Sequence, residues 1–224
     1  HLEPDSGNNA DARPLRRRDN PAMADGASRQ AEGWRRDANE VICFIDGVHP
    51  THNTKPTYGW IRKGERKEIS TNTGRQRLNL SGAIDIISRK VLIREDEVLN
   101  AAATIDFLRL IEGAYLDAAR VHLFCDNAKY YRNKLVQEYL GSSKIKMHFL
   151  PPYSPNLNPI ERLWKFMNEK VLYNKYYEKF VDFKGAVFGF FAQLLTPPED
   201  LREALVRRIT DKFRVMGKAS PTIG

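Results

Sequence analysis

Cysteine is scarce in this chain of 224 residues: there are two, Cys43 and Cys125, each inside an apolar strand-like run. No CxxC and no Cys/His cluster surrounds either one. That argues against a disulfide framework or a zinc ribbon and for small buried hydrophobes in a reducing compartment. No run approaches the ~18 apolar residues that span a bilayer. Residues 1–40 lack the apolar core of a secretory signal. There is no internal repeat and no long low-complexity segment. Acidic residues are the minority, 28 against 36 Lys and Arg, for a formal charge of +8. That balance suits an acidic partner such as nucleic acid and no membrane, in the cytoplasm by the nucleoid. The chain opens on His1 rather than Met, as expected of a fragment or a processed product.

What is present is enough for one sizeable core, with 42% hydrophobic residues. Residues 1–39 are polar and aperiodic, and read as a disordered polar and basic arm. Its knot Arg16, Arg17, Arg18 is interrupted by acids, which favours a solvated tail over a phosphate contact. From residue 40 to 215 one domain is expected. Strands are expected at 41–46, 64–70, 78–87 and 89–94, and a long amphipathic helix at 98–116. A strand at 121–126, a helix at 130–140 stopped by Gly141, and a strand at 144–150 follow. Helices are expected at 159–172, 180–195 and 198–209. Antiparallel strands first, then strands alternating with helices, predict a mixed α/β sheet with helices on both faces.

Two of the buried strands end in an aspartate, "VICFID" at Asp46 and "VHLFCD" at Asp126. Such strand ends point into the crevice where α/β sheets bind ligands, although either aspartate alone is more often a turn residue. A third carboxylate, Glu161, follows the proline-rich stretch "FLPPYSPNLNPIERLWK". Locally it reads as a helix start: Asn158 as N-cap, Pro159 at the first position, Glu161 at the third, reaching back to the cap. Three carboxylates on one spot repel one another unless a cation sits among them. Mg²⁺ takes oxygen ligands, and two such ions about 4 Å apart suit phosphoryl displacement.

The segments "FIDGVHPTHN", "YGWIRKGE", "GRQRLNLSGAID", "LFCDNAKYYRNKLV" and "HFLPPYSPNLNPIERLWKFMNEKVLYNKYY" resemble the DDE transposases of bacterial insertion sequences, in the mariner-like superfamily. The resemblance covers roughly residues 41–195 in the family's order, and 34 residues separate Asp126 from Glu161 as its pattern requires. It implies a ribonuclease H-like fold and a catalytic, metal-holding triad of Asp46, Asp126 and Glu161. It implies two Mg²⁺ ions, with Mn²⁺ as a substitute, Asp46 bridging them. Cleavage at a transposon end then frees a 3′-hydroxyl that attacks target DNA, without a covalent protein–DNA link. Double-stranded DNA, as transposon ends and target, and a second copy of the chain on that DNA are the implied partners. Relatives carry helix-turn-helix domains ahead of the catalytic domain, so a separate or missing N-terminal DNA-binding domain is expected. The alternatives are a nuclease or resolvase on the same fold without strand transfer, and a catalytically silent DNA-binding module.

Other polar and aromatic residues have simpler roles open to them. Trp60, Arg62, Lys63, Arg75 and Arg77 form a basic region with one aromatic, and Lys129, Arg132 and Lys134 follow the second aspartate. Either set suits a DNA backbone, and equally a solvated face. Asp85 reads as an ordinary strand residue or a support for the site. Asn127 reads as a turn residue or a partner of bound water. His49 and His52 lack further zinc-spaced ligands, and His49 is placed to meet a scissile phosphate. His122 and His148 read as structural, and Trp164 as core.

Overall fold

The computed structural model describes residues 39–55, 76–151 and 158–209. The expected strand at 64–70, the arm before residue 39, Pro152 and Pro155 lie outside them, as do Trp60, Arg62, Lys63 and Arg75.

Five strands form one sheet: β1 (Glu40–Val48), β2 (Leu80–Asp85), β3 (Val91–Glu95), β4 (Arg120–Cys125) and β5 (Ile145–Phe149). Their spatial order is β3-β2-β1-β4-β5. β2 pairs antiparallel with both β1 and β3, while β4 pairs parallel with both β1 and β5. Parallel pairs need crossovers. α1 (Ala101–Ala114) precedes β4, and α2 (Lys134–Gly141) joins β4 to β5. α3 (Ile160–Met167), α4 (Phe180–Gln193) and α5 (Glu199–Arg208) complete the described chain.

Side chains alternate across a strand, and both faces of this sheet are covered. Cys43, Ile45, Leu123 and Cys125 pack with Phe107, Leu108 and Ile111 of α1 and Val136 of α2. Ile42, Phe44 and Phe124 pack on the other face with Leu163, Phe166, Phe183 and Leu205 of α3, α4 and α5. Burial on both faces is why β1 and β4 read as apolar runs rather than alternating ones. The entry to α1 is fixed by Asn100, whose side chain accepts from Ala103 N at 2.9 Å.

The structure changes one expectation and decides two readings left open. The helix expected across 159–172 stops at Met167 and continues as a π-helical turn, Asn168–Leu172. Its wider loop is closed by Tyr173 N donating to Asn168 O at 2.8 Å. That turn sets the neighbours Val171 and Leu172 together in the core. Asp85 supports no site: Oδ1 accepts from Ile87 N at 2.7 Å and Oδ2 from Ser88 Oγ at 2.6 Å, so it caps the β2–β3 turn. His52 is structural, stacked on Phe183 at 5.5 Å with Nε2 2.8 Å from Tyr177 O.

Candidate active site

Parallel pairing of β1 with β4 sets Phe44 opposite Phe124, and their rings stack at 5.0 Å. Asp46 lies two residues further along the same face of β1, which runs on to Val48 instead of ending at the aspartate as expected, and Asp126 directly follows β4, near enough for its charge to act on Asp46. The helix packed on this face is α3, and Glu161 stands in its first turn. Sequence, register and packing thus bring the three expected carboxylates to one edge of the sheet.

The start of α3 differs from the expected cap. Pro159 occupies the cap position without a side-chain hydrogen bond, so Glu161 is the second helical residue and not the third. Asn158 is buried and faces the sheet: its Nδ2 donates to Ile45 O at 3.4 Å and its Oδ1 accepts from Ile160 N at 3.4 Å. Glu161 N donates to Asn158 O at 3.1 Å. Asn158 therefore ties the helix start to the backbone beside Asp46.

The electrostatics are those of crowded carboxylates. Burial, and then the charge of Glu161, push the Asp46 carboxyl up to about 7, with Asp126 adding to the rise. Hydrogen bonds from Trp164 and the Gly47 backbone oppose it. Glu161 is also raised, by burial and then by Asp126. Asp126 Oδ1 accepts from Ala128 N at 3.0 Å. Among the described residues no group of three His, Cys, Asp or Glu side chains is placed to hold a metal ion as it stands, although the charges of Glu161 and Asp126 reach Asp46. By donor chemistry an oxygen-only set of carboxylates fits Mg²⁺, which binds through one or two of them and leaves places for water and substrate phosphate.

Two residues at the site escaped the sequence reading. Trp164 Nε1 donates to Asp46 Oδ2 at 3.0 Å. Its signal was its place three residues after Glu161 on one helix face, since a buried indole N–H needs an acceptor. Tyr130 is pushed up to about 12 by burial, then by Asp46 and Asp126. Its hydroxyl lies 2.9 Å from where a Cβ on Gly47 would stand.

The remaining candidates sort by what they touch. Arg132 lies over the Phe149 ring at 3.9 Å and donates to Asn127 Oδ1, while Asn127 Nδ2 donates to Leu150 O at 2.8 Å. Arg132 and Asn127 thus bind the loop after Asp126 to β5. Lys129 is exposed, and Lys134 is exposed with Glu138 at 3.6 Å. Arg77 is exposed and bridges Thr51, just beyond the Asp46 end of β1. His49 Nδ1 lies 2.8 Å from Asn79 Oδ1. Cys43 and Cys125 are buried free thiols, both pushed up by burial.

The profile of the family described as DDE superfamily endonuclease matches residues 41–184. An insertion element IS630 uncharacterized 39 kDa protein of Shigella sonnei is 25% identical over 138 residues, covering 61% of this chain and 40% of that protein. An uncharacterized protein, y4pE/y4sA, of Sinorhizobium fredii is 33% identical over 66 residues, covering 30% of this chain and 47% of that protein. The chain therefore spans less than half the length of these curated relatives. Among solved structures, a Mos1 transposase paired-end complex with left transposon end aligns with a TM-score of 0.60 at 16% identity, covering 92% of this chain and 65% of that one. A Mos1 mariner paired end complex with Mn aligns with a TM-score of 0.56 at 17% identity, covering 92% and 67%. At such identities the likeness shows the fold, which is the ribonuclease H-like one.

Proposed function

The chain belongs to the DDE superfamily endonuclease family, and from that premise we propose that residues 40–215 are the catalytic domain of a transposase. It catalyses metal-dependent DNA strand cleavage and strand transfer in cut-and-paste transposition. The observation that carries this reading is the convergence of Asp46, Asp126 and Glu161 from two neighbouring parallel strands and one helix start, with Glu161 and Asp126 both raising Asp46 and Asp126 raising Glu161.

In this reading Asp46 holds the central place, with Asp126 and Glu161 on either side. Mg²⁺ or Mn²⁺, when bound, supplies the Lewis acidity that polarises the scissile phosphate. The chain's own residues fix the donors. Asn158 holds the base of α3 against β1, and the Asp126 carboxylate is held over its own turn by Ala128. The buried cysteines take no part, since thiols held protonated by burial are poor nucleophiles. Water and a DNA 3′-hydroxyl are the attacking groups. Exposed Lys129, Lys134 and Arg77 supply phosphate attraction around the carboxylates. The partners are transposon-end and target duplexes, bound by two copies of the chain. Reading of the end sequence is assigned to a domain outside 40–215.

The test is an Mg²⁺- or Mn²⁺-dependent assay on duplexes from the flanks of the element that encodes the chain, run beside Glu161→Gln. Cleaved ends and joined products that vanish in the variant are expected. Cleavage without joining would favour the nuclease reading. Binding with neither reaction would favour a silent module.

A further inference from the structure

Trp164 is the fourth residue of the site's architecture. It sits one helical turn after Glu161 on α3, is buried, and is edge-on to Phe191 at 6.2 Å. Its indole is seated against the sheet at Gly82, which pairs with Asp46 across β1 and β2. A Cβ at position 82 would lie 2.2 Å from Trp164 Cη2, 2.6 Å from Cζ2 and 3.2 Å from Ile160 Cδ1. Real Cβ atoms do not approach so closely, so only glycine leaves room for the ring there. The ring so placed directs Nε1–H at Asp46 Oδ2, 3.0 Å away. A core indole needs an acceptor, and any backbone carbonyl serves that need. Here the acceptor is the central carboxylate of the proposed site, and the helix that supplies the donor also carries Glu161.

We propose that Trp164, seated on Gly82, is a positioning residue that fixes the Asp46 carboxylate to receive a divalent cation and couples its orientation to the helix bearing Glu161. This rests on Asp46 being a metal-holding residue. The indole N–H leaves one carboxylate oxygen less encumbered and restricts rotation about the Asp46 side chain. Loss of such an outer partner typically costs ~10–100-fold in metal affinity or activity.

The experiment follows the indole N–H resonances of the full chain by ¹⁵N–¹H NMR during titration with MgCl₂. There are three tryptophans, so Trp34→Phe and Trp60→Phe assign the Trp164 resonance by elimination even if Trp164→Phe folds poorly. The Trp164 resonance is expected to move saturably with Mg²⁺ and to stop responding in Asp46→Asn. Trp164→Phe is expected to raise the Mg²⁺ concentration for half-maximal cleavage and for half-maximal thermal stabilisation by about tenfold or more. Mg²⁺ binding with an unmoved Trp164 resonance, or a Phe variant with unchanged Mg²⁺ dependence, overturns the inference and leaves the transposase reading intact. A metal-sensitive Trp164 resonance in a chain that cleaves no DNA supports the inference and removes that reading. No Mg²⁺ binding at all overturns both.

Discussion

Phe44 and Phe124 stack at 5.0 Å with ring planes 21° apart, each two residues before one of the aspartates Asp46 and Asp126. His148 continues the row, stacked on Phe124 at 5.0 Å and on His122 at 5.1 Å. The aspartates therefore rest on an aromatic shelf that crosses β1, β4 and β5. Removing Phe44 by substitution to Ala is expected to cost about 3–5 kcal/mol, as for other buried Phe truncations. Chemical denaturation measures it. A loss under ~1 kcal/mol would mean the shelf relaxes and does not support the strand ends.

The raised Asp46 carboxyl makes metal-free stability fall with pH. Its folded value is about 7 against an ordinary 3.8, so between those pH values the folded chain holds a proton that the unfolded chain has lost. Stability therefore declines as pH rises through that window, and the full deficit stands above pH ~7. Asp46→Asn keeps an oxygen to accept from Trp164 and removes the charge. In EDTA at pH 8 this variant is expected to melt higher than wild type by several degrees, with the gain vanishing near pH 4 and cleavage abolished. A lower melting temperature at pH 8 would mark Asp46 as a structural aspartate.

His148 gives the opposite slope. Burial and the adjacent His122 push it down to about 4 from 6.5. Between these values the unfolded chain binds the proton and the folded one does not, so stability is lost as pH falls from about 6.5 toward 4. His122 Nδ1 lies 2.9 Å from His148 Nε2, and its Nε2 lies 3.1 Å from Glu40 Oε2. His148→Phe keeps the stack and removes the titration. Its melting temperature, followed from pH 7 to 4.5, is expected to fall less steeply than that of wild type. Parallel curves would place the acid sensitivity elsewhere.

How much of this was legible beforehand depends on how local each cause is. Asp46 and Asp126 stood out because an apolar strand ending in a carboxylate is visible in six residues. Glu161 looked like an ordinary helix start, and only the resemblance to a family with that spacing lifted it. The Trp164–Asp46 bond was hidden. It depends on Gly82 facing Asp46 across an antiparallel pair, and cross-strand register is not written in either segment alone. Apolar spacing also fits either an α-helical or a π-helical turn at 168–172, so Val171 and Leu172 gave no warning of the change. Asn158 reads as an N-cap from its neighbours alone, but its bond to Ile45 O does not, because that acceptor is 113 residues away in sequence.

The basic residues near Asp126 divide into two kinds, and DNA binding separates them. Lys129, Arg132 and Lys134 are all exposed, but Arg132 is also held by Phe149 and Asn127. A lysine that touches phosphate releases about one counterion, so its loss weakens binding evenly across sequences and flattens the salt dependence by about one unit of slope. Lys129→Ala is expected to do this with an unchanged melting temperature. Arg132→Ala is expected to lower the melting temperature, since it frees the loop after Asp126 from β5. Sequence reading needs base contacts, and the exposed Lys129 and Lys134 beside Asp126 are suited to phosphate. The isolated chain is therefore expected to bind end and scrambled duplexes with similar affinity and steep salt dependence. Deleting residues 1–39 should weaken both modestly if Arg16, Arg17 and Arg18 touch phosphate. Titrations at two salt concentrations on both duplexes measure all of this. A salt-tolerant preference for the end duplex would show that the chain reads sequence itself, and its survival on deleting residues 1–39 would move end recognition into residues 40–215.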